Sequence, residues 1–113
     1  MNFKIEATEI FSRQSKSLKK KYPSLAGELA ELEKKLSENP RLGISLGNNT
    51  YKVRLGIKSK GKGKSGGARI ITYIIDKLSH VYLISIYDKS EIGSVDNSTI
   101  RFYTKLIDQT TKS

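Results

Sequence analysis

The sequence predicts an α+β domain: a mainly antiparallel sheet with an N-terminal helical hairpin packed on one face and a C-terminal helix, in the order β-α-α-β-β-β-α. Three observations predict it. Two stretches near the N-terminus carry apolar residues at helical intervals, three later stretches read as strands, and the last segment returns to helical spacing. The chain has 113 residues and no cysteine. A chain of this size buries roughly two-thirds of the surface it exposes when unfolded, so residues 1–113 make a single domain without disulfide staples.

The elements follow in order. Phe3, Ile5 and Ala7 alternate with Lys4 and Glu6, as in a short strand. Thr8 caps the next segment, with Glu9 near the positive end of the helix dipole. Phe11, Leu18 and Tyr22 lie on one face of that helix, and Arg13, Lys16, Lys19 and Lys20 face outward. Tyr22-Pro23 ends it, because a residue before proline avoids the α region. Leu25, Leu29, Leu32 and Leu36 mark a second helix, which Asn39-Pro40 stops. Residues 43–50 read as a turn-rich connection. Tyr51, Val53, Leu55 and Ile57 alternate with Lys52, Arg54 and Lys58, giving a half-buried strand with a basic open face. Ala68–Ile75 and Val81–Tyr87 are apolar on both faces, as central strands are, with residues 76–80 between them as a hairpin connection. From Asp96 to about Gln109, Ile100, Tyr103, Leu106 and Ile107 recur at helical spacing.

The charge is one-sided. The formal net charge is +10, and it is unevenly spread: nine basic against six acidic residues up to Thr50, twelve against five thereafter. Between Lys52 and Arg69 there are seven basic residues and no acidic one. Such a field favours polyanions, with nucleic acid ahead of an anionic membrane surface. No apolar run approaches the length of about 18 residues that crosses a bilayer. The start of the chain lacks the apolar stretch of a signal peptide, which with the missing cysteines points to the cytoplasm.

The glycine-lysine loop after the second strand needs care. Gly61-Lys62-Gly63-Lys64-Ser65-Gly66 matches the letters of a dinucleotide fingerprint, but a strand follows it where a helix is required. A phosphate-binding P-loop fails too, since its first glycine would fall at Lys58. What remains is a basic hairpin tip whose glycines let backbone approach phosphate and whose lysines supply mobile charge. Its plain alternative is a solvated loop. Arg69, entering an isoleucine-rich strand, suits bidentate phosphate contact, or else a structural ion pair with Asp76 or Asp88. Lys89 and Tyr87 stand at the end of the next strand. His80 is alone in a predicted turn, with no second histidine or cysteine, and is not assigned to catalysis. No pair of carboxylates stands at a metal-binding spacing, so a metal-dependent nuclease is disfavoured and no cofactor or metal is expected.

Four segments carry a family resemblance: KKYPSL (Lys20 to Leu25), NPRLG (Asn39 to Gly43), YKVRLGIKSKGKGKSGGARIITYIID (Tyr51 to Asp76) and VYLISIYDKSEI (Val81 to Ile92). Together with the element order, they resemble the RelE/HigB branch of the RelE/ParE toxin superfamily of type II toxin–antitoxin systems. The resemblance implies a ribosome-dependent mRNA endoribonuclease (an mRNA interferase) that inhibits translation without a metal. Its partners would be the ribosome, mRNA and a cognate antitoxin with a DNA-binding domain. It implies catalytic roles for Arg69, Lys89, Lys64, Arg54 and Tyr87, and RNA binding by Lys58, Lys60 and Lys62, to which the one-sided charge of the second strand adds Lys52. Tyr87 and Tyr103 are both candidates for the family's proton acceptor. The rival readings are a ParE-like toxin acting on DNA gyrase and a non-catalytic RNA- or DNA-binding module. RNA cleavage fits these residue types independently, because the 2′-hydroxyl of RNA is itself the nucleophile and the protein need only orient it and offset phosphate charge.

Overall fold

The computed structural model describes residues 2–61, 66–92 and 94–111. Among these, five strands form one sheet: β1 (Lys4–Ala7), β2 (Ile44–Gly47), β3 (Thr50–Leu55), β4 (Ala68–Ile75) and β5 (His80–Asp88). Their spatial order is β1-β5-β4-β3-β2, with β1 parallel to β5 and every other pair antiparallel. The helices are α1 (Glu9–Lys21), α2 (Leu25–Glu38) and α3 (Asn97–Thr111). The predicted α+β class and helical hairpin are therefore observed.

Local chemistry sets the helix ends. The Thr8 hydroxyl accepts from the Phe11 N–H at 3.1 Å and donates to the Ile84 carbonyl at 2.9 Å, so one side chain caps α1 and docks it on β5. Gln14, on α1, accepts from the Ile86 N–H at 3.0 Å. Thr8 and Gln14 thereby occupy the β5 edge beyond short β1, which would otherwise present unpaired backbone. The leucine stripe of α2 is buried, and with Phe11 and Tyr22 it packs on Val53, Ile70, Leu83 and Ile86 of the sheet. Each such leucine contributes about 1.5–3 kcal/mol through burial.

The structure differs from the sequence reading in four places. Residues 43–50 are not only a connection: they contain β2, which turns into β3 through Asn48 and Asn49. Both asparagines have positive φ (52° and 62°), the requirement of a tight two-residue hairpin, and Asn tolerates that region. The second predicted strand ends at Leu55, and Ile57 instead anchors a 3₁₀ turn over Lys58–Lys60. His80 opens β5 rather than lying in a turn. The sheet face opposite the hairpin is also not left wholly to basic residues. Ile100 and Ile107 of α3 pack there on Ile71, Tyr82 and Ile84, which confines the basic row to the other end of that face.

Candidate functional site

Strand register brings three of the predicted residues into one row. Arg54 on β3 lies opposite Arg69 on β4, and Arg69 lies opposite Tyr87 on β5. Residues directly opposite in antiparallel strands share a face, with side chains about 5 Å apart at Cβ. The neighbouring row is Lys52–Ile71–Ser85. Both rows face away from the helical hairpin, since Ile70 and Ile86, the alternates of Arg69 and Tyr87, lie in the hairpin core.

A β-bulge aims the tyrosine. Ile71 pairs with Ser85 but Thr72 pairs with Leu83, leaving Ile84 as the extra residue. Leu83 faces the hairpin. Strict alternation would put Tyr87 on that same side; the extra residue resets the period and turns Tyr87 toward Arg69. Gly67 serves the same end of the sheet. A Cβ there would lie 2.1 Å from the Leu55 carbonyl oxygen, so only glycine lets β4 start this close to β3.

Arg69 is 4% exposed, and its Nη1 donates to the Ala68 carbonyl at 3.1 Å. The two carboxylates proposed as its structural partners are engaged elsewhere, Asp76 with Arg41 and Asp88 with Lys60. Tyr87 is also 4% exposed, and its hydroxyl has no hydrogen-bond partner among the described residues. Burial raises its pKa, opposed in part by the positive charge of Arg69, so the neutral phenol is the form present at neutral pH. A buried hydroxyl without a partner costs roughly 1–3 kcal/mol, and such groups recur where a ligand supplies the missing bond. Lys89 is exposed, and its N–H extends the ladder by one bond to the Gly67 carbonyl at 3.0 Å.

A cleft of about 610 Å³ opens between β3 and α2, floored by Leu32, Val53 and Leu55, with Lys52, Arg54 and Lys58 at its edge. By strand alternation Lys52 and Arg54 carry their side chains on the opposite face of β3, in the rows described above. The Lys58 N–H donates to Glu28 at 2.8 Å, and Ser59 and Ser24 exchange backbone-to-hydroxyl bonds of 2.9 and 3.1 Å, pinning the 3₁₀ turn to α2.

Lys60 stands apart from the predicted RNA-binding set. Its ammonium pairs with buried Asp88 and donates to the Ser90 hydroxyl at 2.8 Å, with the side chain only 11% exposed. Its charge is spent inside the protein. Lys62 and Lys64 lie outside the described residues. Tyr103 joins the apolar cluster under α3, and His80 contacts the Tyr82 hydroxyl at the opposite end of β5 from Tyr87. Sequence reasoning missed Asp88, Tyr22 and Ser90 as a network. A carboxylate flanked by Tyr87 and Lys89 in an otherwise apolar strand was the available signal. Among the described residues no group of three histidine or acidic side chains is placed to hold a metal ion, and no helix is long and apolar enough to cross a membrane.

The fold, a helical hairpin on one side of a mainly antiparallel sheet with a basic row on the other, is similar to that of solved structures of E. coli RelE. The isolated E. coli RelE toxin matches with a TM-score of 0.55 and 19% identity over 93% of this chain and 98% of that one. A double arginine-to-alanine variant of E. coli RelE in the free state matches with a TM-score of 0.57 and 22% identity, over 79% and 85%. No protein-family model matches the chain.

Proposed function

We propose that this protein is the toxin of a type II toxin–antitoxin system and acts as a ribosome-dependent endoribonuclease on mRNA, in the cytoplasm and without a metal ion. The observation that carries the reading is the Arg54–Arg69–Tyr87 row: two guanidinium groups and a phenol without a partner among the described residues, side by side on one sheet face. The RelE-like fold supports it.

In this reading the RNA 2′-oxygen attacks the adjacent phosphorus, the P–O5′ bond breaks, and a 2′,3′-cyclic phosphate and a 5′-hydroxyl result. Arg69 and Lys89 offset charge on the five-coordinate phosphate, the kind of preorganised stabilisation whose loss costs about 10²–10³ in rate. Tyr87, held as the neutral phenol, gives a proton to the leaving 5′-oxygen, and water takes the proton lost by the 2′-hydroxyl. Arg54 and Lys52 grip the flanking backbone along β3, and Lys58, Lys62 and Lys64 extend that grip. A cognate antitoxin carrying a DNA-binding domain neutralises the toxin.

Primer extension on cellular mRNA tests the proposal, comparing induced wild type with Arg69→Ala. Codon-phased cuts in the wild type that vanish in the variant are the expected result. Growth arrest with intact mRNA and damaged DNA would instead mark a gyrase-directed toxin. No growth effect from either form would mark a non-catalytic binding module.

A further inference from the structure

Asp88 occupies the position between Tyr87 and Lys89 but faces the helical hairpin, and it is 3% exposed. Its Oδ1 takes the Lys60 ammonium, the Ser90 N–H at 2.9 Å and the Ser90 hydroxyl at 2.7 Å. Its Oδ2 takes the Tyr22 hydroxyl at 2.9 Å. Lys60 Nζ also stands 5.5 Å from the centre of the Tyr22 ring. Burial alone would raise the carboxyl pKa, but the donors from Lys60, Ser90 and Tyr22 overcome it and hold the group well below the usual carboxylate range.

The network has a definite address. Lys60 closes the 3₁₀ turn that opens the lysine-glycine loop, and Gly67 at the far end of that loop accepts the Lys89 N–H. Both ends of the loop are therefore tied to consecutive residues, 88 and 89. A buried ion pair is a poor device for stability alone, since apolar residues of similar volume often do as well or better. What the pair supplies and apolar contact does not is a directional tether.

We infer that Asp88 is a positioning residue of the RNA site: by holding Lys60, Ser90 and Tyr22 it fixes the end of β5 against the 3₁₀ turn and the helical hairpin, and so sets its neighbours Tyr87 and Lys89 relative to Arg69. The inference deepens the endoribonuclease reading and rests on it for its functional half. Asp88 itself touches no RNA; its charge is neutralised within the protein.

The decisive variant is Asp88→Leu/Lys60→Met, which replaces both charges by apolar side chains. Its thermal midpoint should fall no further than that of Tyr22→Phe, which breaks the same bond to the Asp88 carboxylate. Hydrogen exchange at the Lys89 and Gly61 amides should quicken at least about tenfold. In ribosome-bound mRNA cleavage, kcat should fall at least about tenfold with KM changed less than about threefold, as expected of misplaced groups. Wild-type exchange at both amides, or wild-type kcat, overturns the inference. If the double variant fails to fold, Lys60→Met alone, which leaves Asp88 its Tyr22 and Ser90 donors, is held to the same two criteria. If wild-type protein cuts no RNA, the functional reading and the positioning role fall with it, and the exchange comparison reports the tether separately.

Discussion

Tyr87 and Asp88 are neighbours on one strand, yet their surroundings are opposites. Asp88 sits in a closed account: every donor around it, from Tyr22, Lys60 and Ser90, is matched to a carboxylate oxygen. Tyr87 sits in an open one, beside Arg69 and in line with Arg54, with a hydroxyl that nothing described satisfies. Strand alternation, reset by the bulge at Ile84, separates the two by a single residue. The lesson is that a high positive charge is not one property of this protein. Lys60 pairs with the buried carboxylate of Asp88 and Arg41 with the surface carboxylate of Asp76, while Arg54 and Lys58 are exposed.

The largest effect that would sharpen this contrast is loss of activity in Arg69→Ala, about 10²–10³ in cleavage rate by primer extension. Tyr87→Phe comes next. It should cost about 10² in rate if the phenol is the proton donor. Its urea midpoint should hold or rise, because no hydrogen bond is lost. On the other side of the strand the signs reverse. Tyr22→Phe should destabilise the protein by about 1.5–3 kcal/mol in urea titrations, as loss of a hydrogen bond to a charged group does. Equal stability losses in Tyr22→Phe and Tyr87→Phe would break the comparison.

Acid titration separates the two regions again. The folded-state pKa of Asp88 is depressed, so its stabilisation is fully present above the unfolded value of about 3.9 and is lost as pH falls through the folded value. Urea midpoints should therefore decline below about pH 4 in wild type and decline less in Asp88→Asn. The smallest effect concerns salt. Lys58→Gln should reduce the log–log salt slope of RNA binding by about 0.7, the value for one single-strand phosphate contact, and Lys60→Gln should leave the slope unchanged.

Much of this was legible in the sequence, for identifiable reasons. The leucine period of α2, the Thr8 cap and the Tyr22-Pro23 stop are local signals, and the structure keeps each of them. β2 was not legible, because Ile44–Gly47 is four residues long, holds a serine and a glycine, and turns through Asn-Asn rather than the stronger Asn-Gly. Arg54 and Arg69 could be nominated from charge, but their sharing a row with Tyr87 depends on register and on a bulge that no run of apolar letters announces. The ion pair of Lys60 was hidden for a related reason. Its partner Asp88 lies 28 positions away in sequence, so the loop looked uniformly basic when its first anchored lysine was already neutralised.

The five arginines permit the most direct measurement of the central idea, that the Arg54–Arg69–Tyr87 row holds a ribonucleotide backbone. A 2′-O-methylated RNA hexamer, which cannot be cut, is titrated into the protein while the arginine Nε–H NMR signals are followed. The Nε signals of Arg54 and Arg69 should shift saturably together, with Arg13, Arg41 and Arg101 unmoved. Shifts at Arg13, Arg41 or Arg101 with Arg54 and Arg69 silent would contradict it.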